Sequence, residues 1–337
     1  MNSDRLAAAA AHRHCATTKP GRTLRESLRG HRSPGPASTF DRREQHRLRI
    51  EALLPEMAED TVVSHQSAAV LYGTTLWRAP LERVCVTRNR RGGGRTRPST
   101  RVHGSPVDSV VDIGGLPVTT PARTIVDLAL SLPFDAAVVA GDALAGAFGL
   151  GDAELSAEIA RAKWRTGIDQ AREVIAVLDG RSRGIGESLC RIMIHRAGLP
   201  LPESQGTVLA ADGRAVARVG FYYESAGVIC EFDGPTRYGR LLSPGRDMAT
   251  TLHRERARES LLRALGFEVV RWTWDDLVRD GASGALRAAL ARQARLPDGR
   301  IEPAPTPPVQ QVHVRTLHSD RTGEVAGAGL AGAGSDG

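Results

Sequence analysis

Five consecutive residues, Val228-Ile-Cys-Glu-Phe232, constrain this chain more than any other stretch. The run is apolar without period-two alternation apart from one acid, the pattern of a strand covered on both faces inside an α/β sheet. Glu231 interrupts it, and Asp233 follows two residues later, just before Gly234. Residues two apart on a strand project to one face, so two carboxylates are expected side by side at a strand end. An acid in an apolar strand costs stability unless it is paired, which marks Glu231 as a candidate functional residue. Asp233 also suits a turn before Gly234. Metal-dependent phosphodiester cleavage uses such groups: carboxylates hold Mg²⁺, which acidifies a bound water and neutralises phosphate charge. Glu187, one helix upstream, is expected to reach the same edge, although an acid near a helix start also favours the helix dipole.

Around this strand the order of elements is legible. Helices are expected over 185–197, 249–265 and from Trp274 to Leu277, and strands over 207–209, 215–223 and 268–272. The order helix, strand, strand, strand, helix, strand, helix predicts a mixed sheet flanked by helices. Upstream, helices are expected over 42–54, 64–71, 134–148, 153–163 and 168–178. Thr120-Pro121 supplies an N-cap and a first-position proline for another. Short strands over 83–87, 101–103 and 118–119 complete a region that is mixed but mostly helical. The expected organisation is therefore a segment without its own fold at 1–40, a mostly helical α+β domain at 41–180, an α/β domain at 181–295, and a Pro-, Gly- and Ala-rich disordered tail at 296–337.

Four blocks give the second domain a specific resemblance: Gly184-Ile-Gly-Glu-Ser-Leu, Arg218–Tyr223, Glu231-Phe-Asp-Gly, and Arg258-Glu-Ser-Leu-Leu-Arg-Ala-Leu-Gly-Phe-Glu-Val-Val-Arg271. Their order over about 100 residues resembles the very-short-patch-repair (Vsr) endonuclease-like domain of the PD-(D/E)xK nuclease superfamily. The resemblance implies a restriction-endonuclease-like α/β fold and a Mg²⁺-dependent DNA endonuclease site. In it, Glu187 takes the helix acid's place, while Glu231 and Asp233 take the acidic strand positions as metal ligands. Arg237 stands where this group often has a basic residue or histidine, and Arg258 and Arg271 match arginines that flank the last helix and strand; Arg237 and Arg258 are expected to contact nucleic acid. The match departs from the family at Gly220, where the strand pattern has Asp, and at Ser260, where relatives are often acidic. The superfamily lysine is missing as well, since Lys19 and Lys163 are the only lysines. The expectation is hydrolysis weak or lost, with Mg²⁺ as cofactor if the site is active and none otherwise.

Two segments of the first domain, Ser64-His-Gln-Ser-Ala-Ala-Val-Leu-Tyr-Gly and Leu116-Pro-Val-Thr-Thr-Pro-Ala-Arg-Thr-Ile-Val-Asp127, resemble the C-terminal region of AbiEi-like antitoxins of type IV toxin–antitoxin systems. That implies, as the alternative function, a transcriptional regulator or antitoxin acting without catalysis, with a toxin-like protein partner. Arg123 and Asp127, spaced i,i+4, are expected to form an ion pair. His65 follows a capping serine and is expected to pack locally.

The charge balance points the same way. Lys+Arg total 45 against 38 Asp+Glu, a net +7, which favours phosphate backbones without selecting a sequence. Arg88, Arg90, Arg91, Arg95, Arg97 and Arg101 lie in one acid-free stretch around Gly92–Gly94, so DNA is the expected partner. None of Cys15, Cys85, Cys190 and Cys230 has the C-x-x-C spacing of a zinc site, and Cys85 and Cys230 read as core residues. No apolar stretch reaches the ~18 residues of a membrane span. A cytoplasmic, reducing setting without membrane contact is expected.

Overall fold

The computed structural model describes residues 41–90, 92–234, 248–278, 282–292 and 297–317. The expected segments 1–40 and 318–337 lie outside the described residues. Two mixed sheets, each with its own core, organise the remainder.

The first unit opens with helix α1 (Arg42–Leu53), capped by Asp41, whose carboxylate accepts from the Arg43 and Glu44 amides. Strand β1 (Thr61–Val63) leads into α2 (His65–Leu71), and five strands follow: β2 (Val84–Asn89), β3 (Arg95–Thr96), β4 (Thr100–Ser105), β5 (Ser109–Ile113) and β6 (Leu116–Thr119). With β12 (Val314–Thr316), far along the chain, they form a seven-stranded sheet in the order β12-β5-β6-β1-β2-β4-β3. Helices α3 (Pro121–Ser131), α4 (Phe134–Phe148), α5 (Asp152–Arg161) and α6 (Ile168–Val177) then pack together around buried Ile125, Leu128, Leu144 and Val174. α3 starts as expected, with Pro121 in its first turn and the Thr120 hydroxyl accepting from the Arg123 amide. Ser64 does not cap α2 in this way: its hydroxyl is engaged by Thr87 and His65 instead.

The second unit begins with α7 (Ile185–Arg196) and an antiparallel meander of β7 (Glu203–Leu209), β8 (Ala215–Tyr223) and β9 (Val228–Asp233). Helix α8 (Met248–Ala264) crosses over to β10 (Glu268–Thr273), which pairs parallel to β9 and sets Arg271 beside Glu231 and Thr273 beside Asp233. Short helix α9 (Trp274–Val278) and α10 (Ala282–Ala291) follow. One sheet face packs Cys190 and Ile194 of α7 against Phe221, Cys230 and Trp272. The other packs Tyr222 and Ile229 against Leu262 of α8. β9 is thus covered on both faces, as its apolar run predicts.

The units are joined by polar as well as apolar contacts. Ile192 of α7 reaches the first unit's helical core. Asp142 of α4 is buried and accepts from the Ser188 hydroxyl of α7 at 2.6 Å and the Asp179 amide at 2.7 Å.

The region 41–180 carries more helix than strand and supplies six of the seven strands in the first sheet. One expectation is corrected. The stretch from 296 is not all structureless tail. β11 (Arg300–Pro303) forms the edge of the second sheet against β7, anchored by buried Ile301, and β12 pairs with β5. Pro303 is tolerated because it closes an edge strand, where a proline's missing N–H is least costly.

Candidate functional site

The acids of β9 alternate with apolar residues that face the other way. Phe232 points to α7, where a Cβ on Gly186 would come within 1.9 Å of its ring. Glu231 points to α8, where the Arg258 guanidinium donates to it. Arg271, on the neighbouring strand, holds the other Glu231 oxygen at 3.3 Å and Asp233 at 3.4 Å. Glu259 and Glu255 of α8 join the same network through Arg271 at 3.2 Å and Arg258 at 3.5 Å. Glu231 is buried and Arg258 nearly so. Arg258, expected at nucleic acid, therefore commits its guanidinium to an acid and to the Arg218 carbonyl at 3.4 Å.

Glu187 occupies a different environment. Its carboxylate accepts from the Arg183 amide at 2.8 Å and the Gln205 side-chain amide at 3.0 Å. Burial pushes the Glu187 carboxyl up from its ordinary value, partly offset by those hydrogen bonds. Gln205 holds a positive φ of 60° inside β7, a conformation that costs on the order of 1–3 kcal/mol for a non-glycine residue and persists where surroundings over-determine it. Here the Glu187 contact and the Ala304 amide, 2.7 Å from the Gln205 carbonyl, fix it. Gly220 lies alongside. A Cβ at position 220 would stand 3.9 Å from a Glu187 oxygen and 3.7 Å from the Cys230 carbonyl, ordinary contact distances.

So the structure brings Glu231 and Asp233 together, while Glu187 bonds Arg183 and Gln205 and faces Gly220, the residue before the β8 position that pairs with Cys230. Among the described residues no three His, Cys, Asp or Glu side chains form a group able to hold a metal ion. The donor set does not fit a resident Mg²⁺: guanidinium groups sit on the strand carboxylates.

The basic stretch of the first unit lies at a sheet edge formed by β4 and β3. Arg88 is paired with Asp60, and Arg90 folds back onto the Gly93 carbonyl at 3.0 Å. Arg95, Arg97 and Arg101 are exposed, and no described acid pairs with them. Arg91 and Arg237 lie outside the described residues.

A second polar cluster was not legible as one. Asp127 is fully buried and accepts from Arg123 at 3.0 Å and Arg165 at 2.6 Å. His65, also buried, stacks on His103 with ring centroids 3.7 Å apart, and its Nδ1 lies 4.0 Å from the Asp127 carboxylate. His65 carries a positive φ of 54°. Burial lowers both imidazoles, His65 to about 3 and His103 to about 4. Burial opposes ionisation of Asp127, but the surrounding cations outweigh it and hold the carboxyl well below the usual range. Ser64, His65 and Asp127 do not form a nucleophilic relay: Ser64 and Asp127 both approach the same ring nitrogen, and all three are buried. The available signal was Asp127 itself, an acid within the apolar run Ile125–Leu130.

Comparisons add relatives but no function. Two uncharacterized proteins, from two strains of Mycobacterium tuberculosis, are similar to this chain, each 28% identical over 246 residues that cover 72% of this chain and 85% of theirs. No family model matches, and no solved structure matches. No described helix is long and apolar enough to cross a membrane.

Proposed function

We propose that this chain is a nucleic-acid-associated protein on a restriction-endonuclease-like scaffold in which phosphodiester hydrolysis is weak or lost. The observation that carries the reading is the pairing of Glu231 and Asp233 with Arg258 and Arg271. A guanidinium on a carboxylate oxygen competes with any cation for it, and metal-dependent hydrolysis needs that oxygen. Gly220 removes the further ligand position that the resemblance implies. The element order α7-β7-β8-β9-α8-β10 supports the scaffold, and exposed Arg95, Arg97 and Arg101 support contact with a phosphate backbone.

The test joins two assays. Duplex DNA binding is measured against salt, and supercoiled plasmid is incubated with Mg²⁺ or Mn²⁺. The expected result is binding with a log–log salt slope of about −3, for three or so phosphate contacts, and no nicking. Nicking by wild type that disappears in Glu231→Gln overturns the loss of catalysis. No binding at low salt overturns the nucleic-acid role.

A regulator resembling type IV antitoxins is the second reading. Its support is that both resembling segments meet in one cluster, Ser64 and His65 against Arg123 and Asp127. Co-purification with a toxin-like product of the neighbouring gene tests it.

A further inference from the structure

Outside the acidic site, one surface combines an exposed aromatic ring, a lysine with no described acid partner and a cavity lined by arginines that are each paired with an acid. After α5 the chain makes a turn closed by a hydrogen bond from the Arg165 amide to the Ala162 carbonyl at 2.8 Å. Lys163 and Trp164 are its two tip residues. Trp164 is 89% exposed, and the Lys163 ammonium lies 5.2 Å from the indole centroid. At the foot of this turn is a cavity of about 230 Å³, lined by Arg123, Arg161 and Arg165 together with Ser105, Asp108 and Glu158. It is smaller than the ~300–1,000 Å³ of sites for drug-sized ligands and of a size for a phosphate with part of its sugar. Within it, Arg123 is saturated by Asp127, Ser105 and Pro106. Arg165 gives one nitrogen to Asp127, and Arg161 bonds Glu158 while remaining 58% exposed.

Ser105 ends β4, and Arg101, His103 and Ser105 share one face of that strand by alternation. Four residues of strand span roughly 13 Å, which separates exposed Arg101 from Ser105 at the cavity.

We propose that the Lys163–Trp164 turn and the adjoining arginine-lined cavity bind single-stranded nucleic acid, with an unpaired base stacked on Trp164 and its phosphate at Arg161 and Arg165. A ring that stands out of the surface stacks only on a base whose face is free, which excludes the interior of a duplex. The cations supply backbone attraction without reading sequence. This site is separate from the β9 acids and stands or falls independently of the nuclease-like reading.

The test uses the full chain and fluorescein-labelled dT15, U15 and a 15-base-pair duplex, with affinity read by anisotropy from about 50 to 300 mM salt. The expected result is that Trp164→Ala weakens the single strands about tenfold, in keeping with one stacked base. Trp164→Phe retains most of the affinity, and duplex binding is unchanged in both. Lys163→Gln and Arg161→Gln each flatten the single-strand salt slope by about 0.7. Equal losses for dT15 and U15 identify the base and phosphate as what is read, whereas a loss confined to U15 assigns the site to RNA. Because Trp164 is solvent-exposed, its thermal midpoint serves as a control and stays at the wild-type value. Single-strand affinity that is absent in wild type, or unchanged in Trp164→Ala, overturns the proposal. So does a parallel loss of duplex binding. A protein captured through Trp164 with no change in oligonucleotide binding reassigns the turn to a protein contact and also overturns it.

Discussion

Replacing Asp127 with Ala is expected to be among the most damaging single changes in the first unit. The carboxylate is fully buried and is the shared partner of Arg123 and Arg165. Removing one member of a buried ion pair costs about 3–5 kcal/mol, because the remaining charge is left uncompensated. Arg123 and Arg165 are 12% and 25% exposed, so water recovers part of that loss. Arg123 also keeps its bonds to Ser105 and Pro106. We therefore expect a destabilisation of about 2–4 kcal/mol after discounting for this solvation. At roughly 2–4 °C per kcal/mol for a chain of this size, the midpoint falls by about 5–15 °C. Thermal unfolding followed by circular dichroism reads it. With two cores in the chain, midpoints are compared rather than a single unfolding free energy. Asp169→Ala is the control: that acid is 92% exposed and pairs with the exposed Arg172, so its removal changes stability by less than about 0.5 kcal/mol. An Asp127→Ala midpoint within 2 °C or so of wild type would refute the reasoning. It would mean that the arginines are equally well solvated without the acid.

Two further changes probe titration. Burial pushes the Asp142 carboxyl up to about 7, so its folded form holds a proton that the unfolded form, near 3.8, has lost. On this account wild type gains stability relative to Asp142→Asn as pH falls from about 7 toward 4, by about 1.4 kcal/mol per pH unit, and loses that advantage as pH rises. Urea midpoints across the range check it, and a constant difference between the two proteins would contradict it. In Gly220→Asp, the new carboxylate faces Glu187, whose oxygen lies 3.9 Å from the added Cβ. The variant is expected to be less stable than Gly220→Asn at pH 8 by about 1 kcal/mol, with the gap closing on acidification as the pair shares a proton; a gap that persists at pH 4 counts against this placement.

Local signals carried the helices well and the sheets only in part. Thr120-Pro121 opened α3 where it stands, the α4 limits at Phe134 and Phe148 matched, and β8 ran from Ala215 to Tyr223 as expected. β1 and β5 went unread because three or five residues carry too little periodicity, and their partners come from elsewhere in the chain. β11 and β12 were hidden in a proline-rich stretch, where pairing with β7 and β5 overrides composition. The same limit applies to the sites. Spacing placed Glu231 and Asp233 on one strand face, and they are together. It did not show that Arg258, 27 residues away, would turn onto Glu231, nor that Glu187 would be held beside Gln205. Motif order recovers which residues are present, whereas the long-range pairing that decides what their charges do is set by tertiary packing.

That pairing makes the sign of one mutation informative. In a working metal site, clustered carboxylates repel one another, and removing a ligand commonly stabilises the protein at the expense of activity. In this chain Glu231 is buried and is the partner of both Arg258 and Arg271. Replacing it with Gln keeps the shape and withdraws the charge that compensates two partly buried guanidinium groups. The expected result is destabilisation by about 1–3 kcal/mol, somewhat below the cost of breaking a fully buried pair, because Arg271 is 28% exposed and retains Asp233 and Glu259. Glu187→Gln breaks no ion pair among the described residues and relieves a carboxylate that burial already disfavours, so it is expected to be neutral or stabilising above the Glu187 pKa. If instead Glu231→Gln stabilises the fold, the β9 acids repel more than the arginines attract. The site would then be one that keeps its carboxylates charged against their own stability, as a functional cation site does, and the arginines would be occupants that a cation displaces.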